Sequence, residues 1–182
     1  MKKQSTVAYI LRISLTLLLI TGVVAALLAG VNMITAPIIA AANEAKTQEA
    51  INAVLPGGGK EVEFTDNTGL VTKVYASEAG YAVQVTPSGF DGEIDMMVGI
   101  DKDGKVLGIS IISHTETAGL GAIAAADNAK GEAFRNQFIG MSGELAVSKD
   151  GGEVDAITGA TITSRAVTDG INAALSCVAN LG

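Results

Sequence analysis

The stretch IDMMVGIDKDGKVLGISIIS, residues 94–113, indicates the fold class of this chain. Two apolar runs, 94–100 and 105–113, flank the segment DKDG at 101–104. A short Gly-containing turn between two such runs is a strong hairpin signal, because glycine tolerates the positive φ that tight turns demand. The stretch therefore predicts two neighbouring antiparallel strands.

Further strands are predicted upstream of this hairpin. The segments LVTKVYA at 70–76 and GYAVQV at 80–85 alternate apolar and polar residues, which is typical of half-buried strands. Together with the hairpin they predict an antiparallel meander of about four strands.

Helical patterns follow the meander. Residues 121–129 are rich in alanine, and 132–138 and 164–181 carry apolar residues at helical spacing. Residues 145–147 have the composition of one more short strand. The predicted class is α+β, with a mostly antiparallel sheet and flanking helices.

The N-terminal part carries a membrane signal. Residues 13–43 contain no charge, and a bilayer crossing needs about 20 apolar residues. The run predicts a single transmembrane helix, with Pro37 marking its outer end or a bend. A helix is also predicted at 41–55, either extending the span or stacked above it. The segment Pro-Gly-Gly-Gly at 56–59 should end that helix.

Flanking charge predicts the orientation. Lys2, Lys3 and Arg12 precede the apolar run, and Glu44 follows it. Positively charged flanks stay in the cytoplasm, so the N-terminus should be cytoplasmic and the C-terminal domain extracytoplasmic, at the cell (inner) membrane. A cleaved signal peptide ending near the small residues 40–42 is the alternative, and the length of the apolar run disfavours it.

Charge and cysteine content exclude several functions. The net charge is −7, which repels the phosphates of nucleic acid. Cys177 is the single cysteine of the sequence, so an intrachain disulfide and a thiolate-bound cluster are excluded, and a buried thiol is predicted. His114 is the single histidine, and without a second soft ligand no metal site is predicted.

Two polar segments could carry chemistry. The first, HTETAGLG at 114–121, follows the return strand of the hairpin. It could be a ligand loop, or Thr115 or Thr117 could simply cap the next helix. The second, DAITGATITS at 155–164, precedes the C-terminal helix. There, Thr163 or Ser164 could be the N-cap, or hydroxyls and free N–H groups could hold a phosphate.

Together the two segments resemble the FMN-binding domain family. Asp-x-x-Thr-Gly-Ala-Thr-x-Thr-Ser at 155–164 looks like the flavinylation motif of that family, and His-x-Glu-Thr-Ala-Gly-Leu-Gly at 114–121 looks like its second signature. The likeness covers nearly the whole chain, including the membrane helix, and is closest to the G-subunit branch of the Rnf complexes. Ala118 stands where the family often has Pro, which loosens the loop slightly without removing a functional group.

The resemblance implies a covalent cofactor. FMN would be joined through its phosphate to the hydroxyl of Thr161 by a separate flavin transferase that uses FAD and Mg²⁺. Asp155 would be the acid of the motif, which the transferase recognises. The cofactor-binding residues implied are Glu116, Thr117, Leu120, Gly121, Thr158, Gly159, Ala160, Thr163 and Ser164. Thr161 is then a modification site, and no residue is catalytic in its own right.

The resemblance also implies domains and partners. The parts would be 1–42, the cytoplasmic N-terminus and transmembrane helix; 43–59, a connecting helix and turn; and 60–182, the FMN-binding domain. The chain would be an electron-transfer component of the membrane-bound Rnf complex, a ferredoxin:NAD⁺ oxidoreductase coupled to Na⁺ or H⁺ translocation. Its partners would be the A, D and E membrane subunits, together with the B and C subunits.

Three alternatives remain from the sequence. One is the C subunit of the Na⁺-pumping NADH:quinone reductase, which the shortness of the outer domain disfavours. The second is a lone FMN-binding protein that serves extracellular electron transfer. The third is a cofactor-free, membrane-anchored binding domain, which leaves the segment at 114–121 without an explanation.

Overall fold

A computed structural model describes the backbone of residues 6–181 and the side chains of 8–181. The chain forms two compact units, Met1–Ala45 and Lys46–Gly182. The elements in order are α1 (Thr6–Val54), β1 (Lys60–Val62), β2 (Val71–Ala76), β3 (Gly80–Val85), β4 (Ile94–Asp101), β5 (Val106–His114), a 3₁₀ helix (Gly121–Ala125), α2 (Ala129–Asn136), a second 3₁₀ helix (Ser148–Asp150) and α3 (Thr161–Ala179).

Helix α1 is continuous over 49 residues. Its apolar part has a mean hydropathy of 2.4 and is not covered by other parts of the chain, so its length and composition fit a single membrane span. Of the two alternatives for the predicted helix at 41–55, the structure shows the first: it continues the apolar helix without a break. Pro37 lies inside this continuous helix and does not end it, so the outer end of the membrane span or a bend at Pro37 stays a prediction. Proline removes one backbone donor, and transmembrane helices tolerate that loss.

The sheet is an antiparallel meander, as predicted, with strand order β1-β2-β3-β4-β5. Strand β1 was missed by the sequence analysis, because three residues are too few to show an alternating pattern. It pairs with the end of β2, with Lys60 opposite Ala76 and Val62 opposite Val74. The predicted hairpin at 94–113 is present as β4 and β5.

Both faces of the sheet are covered. Ile94, Met96, Val98 and Ile100 of β4 face the larger core, which α2 and α3 complete. Met97 faces the opposite side, where it packs with the last turns of α1 around Ile51. The alternation follows from the two-residue period of a strand. The domain therefore holds α3 on one face of the sheet and the end of α1 on the other.

Three local predictions need correction. Helix α3 begins at Thr161, three residues earlier than the pattern suggested, and its N-cap is Ala160 without a side-chain cap, so neither Thr163 nor Ser164 is the N-cap. The alanine-rich segment 121–129 is mainly a 3₁₀ turn rather than an α-helix. Residues 145–147 do not form a strand, since Val147 makes only an isolated bridge to Val154.

A glycine pair on β4 and β5 tests the packing of α1 on the sheet. Gly99 lies opposite Gly108. A Cβ on Gly99 would collide with the backbone carbonyl of Val54, whereas a Cβ on Gly108 would meet only Val54 Cγ1, at 3.9 Å. We expect Gly99→Ala to lower the free energy of unfolding by about 1–3 kcal/mol.

The matched control is Gly108→Ala, which should be neutral or slightly stabilising. Thermal unfolding of the detergent-solubilised chain, followed by near-ultraviolet circular dichroism, makes the comparison. Equal melting temperatures for the two variants would contradict the packing argument.

Candidate functional site

The two polar segments predicted from the sequence lie side by side in the folded domain. They line a cavity of about 340 Å³, a size within the range of small-molecule sites. Its lining residues are Phe90, Glu116, Thr117, Leu120, Gly121, Lys149, Gly159, Ala160, Thr161, Ile162 and Thr163.

The start of α3 forms one wall of this cavity. Gly159 has φ of +81°, a left-handed conformation that glycine adopts without strain. The first helical hydrogen bond runs from the Ser164 N–H to the Ala160 carbonyl, at 3.0 Å. The N–H groups of Thr161, Ile162 and Thr163 precede it, so they have no acceptor within the helix. Since no side chain caps Ala160, this end of α3 is suited to binding an anion.

Ser164 stabilises the turn before α3 from its buried side. Its hydroxyl accepts a hydrogen bond from the Ile157 N–H and donates one to the Ala160 carbonyl, each at 3.0 Å. The side chain is completely buried and does not line the cavity. Its role in this structure is to shape the backbone that presents Thr161.

Glu116 joins the two segments. Its side chain is only 8% exposed. One carboxylate oxygen accepts hydrogen bonds from the N–H groups of Phe90 at 2.7 Å and Asp91 at 3.4 Å, and the other accepts from the Thr163 hydroxyl at 2.7 Å. A buried carboxylate that accepts hydrogen bonds from three donors in two distant segments holds those segments together. We call this set of hydrogen bonds the Glu116 tie.

Two glycines make room for this carboxylate. A Cβ on Gly89 or on Gly121 would collide with an oxygen of Glu116. Gly121, which the sequence analysis placed in a ligand loop, is therefore needed in part because the backbone must approach the Glu116 side chain closely.

Lys149 reaches the other side of the cavity. Its ammonium group donates a hydrogen bond to the Thr161 hydroxyl at 2.8 Å. The next residue, Asp150, binds Arg165 through two hydrogen bonds of 2.6 and 2.7 Å. The Arg165 hydrogen bond holds the pKa of Asp150 below its usual value. This pair fastens the 3₁₀ turn carrying Lys149 to the first turns of α3.

The mouth of the cavity is apolar. Phe90 is 66% exposed, and Leu120 and Ile162 are about half-exposed. Exposed large apolar side chains that surround a pocket of polar groups often mark a binding site.

The predicted residues separate into two sets. The cavity is lined by Glu116, Thr117, Leu120, Gly121, Gly159, Ala160, Thr161 and Thr163, whereas Asp155, Thr158 and Ser164 lie outside its lining. Thr158 and Asp155 are exposed, and the Asp155 backbone exchanges two hydrogen bonds with the Gln137 side chain.

Sequence reasoning missed Phe90, Lys149 and Ile162 as lining residues. Phe90 follows Pro-Ser-Gly at 87–89, and an aromatic residue in a polar turn is a weak signal of a site. Lys149 lies in a Lys-Asp-Gly-Gly turn with no recognisable pattern.

The helix-capping interpretation of 114–121 is not supported. The 3₁₀ helix that follows has no side-chain cap, and the Thr115 hydroxyl donates instead to the Asp91 carbonyl at 2.8 Å. His114 Nδ1 accepts a hydrogen bond from the Glu116 N–H at 3.2 Å. His114 therefore orients the loop and does not line the cavity.

The domain also contains a larger cavity, of about 800 Å³, beside the C-terminal half of α3. None of the residues that the sequence analysis singled out for binding lines it. Among the residues that the structure describes, no group of three or more acidic, histidine or cysteine side chains could hold a metal ion.

Comparisons with known proteins match both parts of the chain. The FMN-binding domain family matches residues 89–176, a range that includes every residue lining the cavity. The family described as the RnfG N-terminal region matches residues 1–54.

Three similar proteins cover between 57% and 94% of the chain. The G subunit of the Na⁺-translocating ferredoxin:NAD⁺ oxidoreductase complex of Acetobacterium woodii is 34% identical over 94% of this chain and 93% of its own length. The G subunit of the proton-translocating complex of Clostridium ljungdahlii is 42% identical over 57% of this chain and 58% of its own. A solved structure, the C subunit of the Na⁺-translocating NADH-quinone reductase of Parabacteroides distasonis, is 26% identical over 58% of each chain, with a TM-score of 0.45.

The first of these relatives covers 94% of the chain, and the FMN-binding domain family covers the residues that line the cavity. The chain therefore belongs to the family of G subunits of Rnf-type ion-translocating oxidoreductase complexes.

Proposed function

We propose that this chain carries FMN esterified through its phosphate to Thr161 and passes electrons within an Rnf complex. The observation that carries the proposal is the setting of the Thr161 hydroxyl. It lies in the cavity at the uncapped start of α3, and Lys149 donates a hydrogen bond to it. Anions are stabilised both by a helix N-terminus and by an ammonium group.

The residues present fit the chemistry of FMN. Hydrogen-bond donors for a phosphate lie at the start of α3, and apolar side chains for a flat ring system lie at Phe90, Leu120 and Ile162. A Cβ on Gly159 would come within 3.0 Å of Leu120 Cδ2, so glycine keeps this part of the cavity open. When bound, the flavin would supply the redox chemistry itself.

Attachment would be a phosphoryl-group transfer. The Thr161 oxygen would form a bond to the FMN phosphorus of FAD, the bond between the two phosphates of FAD would break, and AMP would leave. The hydroxyl proton would be released, and no electron would be transferred. Asp155 and Thr158 are exposed, so a separate flavin transferase could contact them before the cofactor is in place.

The remaining residues of the site would position the cofactor. Glu116 ties its loop to Thr163 and to the backbone at Phe90, which would keep the apolar and the polar sides of the cavity at a fixed separation. We assign none of them an acid–base role.

The domains and partners follow the family. We propose that 1–42 forms the cytoplasmic N-terminus and membrane span, 43–59 the connecting segment and 60–182 the extracytoplasmic FMN-binding domain. The partners would be the A, D and E subunits of the Rnf complex, with the B and C subunits. Residues 13–43 carry no charge, so the translocated ion, Na⁺ or H⁺, would cross the membrane through other subunits.

Covalent attachment makes a direct prediction. Protein purified from membranes of a host that supplies the transferase should give a fluorescent flavin band on a denaturing gel. Thr161→Val should give a dark band, because valine has no hydroxyl to esterify, and Thr161→Ser should keep part of the fluorescence.

Peptide mass provides the decisive check. The fragment containing Thr161 should gain the mass of FMN less one water. Persistent fluorescence in Thr161→Val, or FMN on another fragment, would refute the assignment.

The tie through Glu116 makes a second prediction. Glu116→Ala removes the acceptor of the Thr163 hydroxyl and of the Phe90 N–H, so we expect the free energy of unfolding to fall by about 1–3 kcal/mol. FMN loading should fall with it. Glu116→Gln keeps one acceptor oxygen and should be milder.

The matched control is Glu153→Ala, which removes an exposed acid from the same domain. Melting temperature and in-gel fluorescence would be measured for all three variants. Equal behaviour of Glu116→Ala and the control would show that the tie does not organise the site.

Membrane orientation makes a third prediction. Burial raises the pKa of the Cys177 thiol, so the native chain should react poorly with thiol reagents. A cysteine in place of exposed Asp103 should be labelled by a membrane-impermeant maleimide in intact cells or spheroplasts. A cysteine in place of Lys3 should be labelled only after permeabilisation, and the reverse pattern would overturn the proposed topology.

A further inference from the structure

The cavity contains one feature that neither predicted motif accounts for. Among its described lining residues, Lys149 is the one cation and Glu116 the one anion. Lys149 is separated from Thr161 by 12 positions in the sequence, yet its Nζ lies 2.8 Å from the Thr161 Oγ1 atom. The lysine therefore contacts the atom that would become the ester oxygen.

Negative charge in the domain would oppose the FMN phosphate at Thr161, and the start of α3 would be left to offset it alone without this lysine. The chain has a net charge of −7, and the Glu116 carboxylate lines the same cavity and contacts Thr163, two residues beyond Thr161. Like charges at short range disfavour each other. A cation near Thr161 would offset that repulsion.

The acid beside Lys149 attracts the lysine through its charge, but its hydrogen bonds go to Arg165. The Asp150 carboxylate is engaged by Arg165 through both of its oxygens, at 2.6 and 2.7 Å. An ammonium group has three donors, and one of them is directed at the Thr161 hydroxyl. The ammonium group can therefore turn further donors toward a phosphate on the same oxygen.

The turn that carries Lys149 is also fixed in place. Residues Ser148–Asp150 form a 3₁₀ turn, Val147 bridges Val154 at its base, and Asp150 binds Arg165 of α3 at its end. Because Arg165 lies one helical turn after Thr161, its pairing with Asp150 keeps the turn that carries Lys149 next to the Thr161 hydroxyl.

We propose that Lys149 is the phosphate-binding cation of this site: it neutralises the FMN phosphate at Thr161 and thereby lets the domain distinguish a phosphorylated flavin from an unphosphorylated one. This inference rests on the proposed function, since it names the residue that recognises the phosphate of the same cofactor.

The first test measures binding without covalent attachment. Full-length Thr161→Val, in detergent, cannot be esterified, so free FMN and riboflavin can be titrated by flavin fluorescence. With Lys149 present, FMN should bind more tightly than riboflavin. Lys149→Met in this background should weaken FMN binding about tenfold or more, because a hydrogen bond to a charged group is lost, and leave riboflavin binding unchanged.

Two controls separate this effect from a general loss of charge. Lys73→Met removes an exposed lysine from β2 and should change neither affinity. Lys149→Arg keeps the charge and should retain most of the preference for FMN. Equal FMN affinities with and without Lys149 would overturn the proposal.

The second test uses the native Thr161 chain. With purified transferase, FAD and Mg²⁺, the initial rate of flavin incorporation should fall about tenfold or more in Lys149→Met, and not in Lys73→Met. Equal loading on Thr161 in the wild-type chain and in Lys149→Met would refute this inference alone. A chain that takes up flavin in neither test would refute the proposed function and this inference with it.

Discussion

The Glu116 carboxylate connects the end of the hairpin to the start of the last helix. Residues 47 positions apart in sequence meet through the hydrogen bond from Thr163 to Glu116, and the same side chain holds the backbone at Phe90. Because a buried carboxylate without donors is strongly disfavoured, this arrangement requires all three segments to be in place together. The cavity exists where they meet.

The fold fixes the positions of these segments relative to one another. Strand β5 ends at His114, two residues before Glu116, and α3 begins at Thr161, two residues before Thr163. The core between the sheet and α3 contains Val98, Val167 and Ile171, none of them exposed. Since such interiors are close-packed, α3 has one position on the sheet. The distance between the end of β5 and the start of α3 is therefore set by core packing rather than by the loops.

Sequence patterns predicted the parts whose signals are local. The alternation and turn at 94–113 predicted the hairpin, and the two polar segments predicted most of the cavity lining. Strand β1 was not predicted, because three residues are too few to show a pattern, and the predicted N-cap of α3 was wrong. Thr163 and Ser164 have capping side chains, but their hydroxyls are used by Glu116 and by the backbone of the preceding turn. Lys149 could not be predicted, because its proximity to Thr161 depends on the folded turn and on the Asp150–Arg165 pair.

The site combines a polar, hydrogen-bonded end with an open, apolar mouth. At the polar end, Thr161 and Thr163 are surrounded by the start of α3, by Lys149 and by the Glu116 tie. At the mouth, Phe90 is largely exposed and Ile162 is half-exposed. An open mouth retains a freely dissociating ligand poorly, because little of the ligand surface is buried. A covalent bond at the polar end would remove that constraint, since retention would no longer depend on enclosure. The apolar mouth could then stay accessible to a redox partner, which is the arrangement an electron carrier between subunits requires.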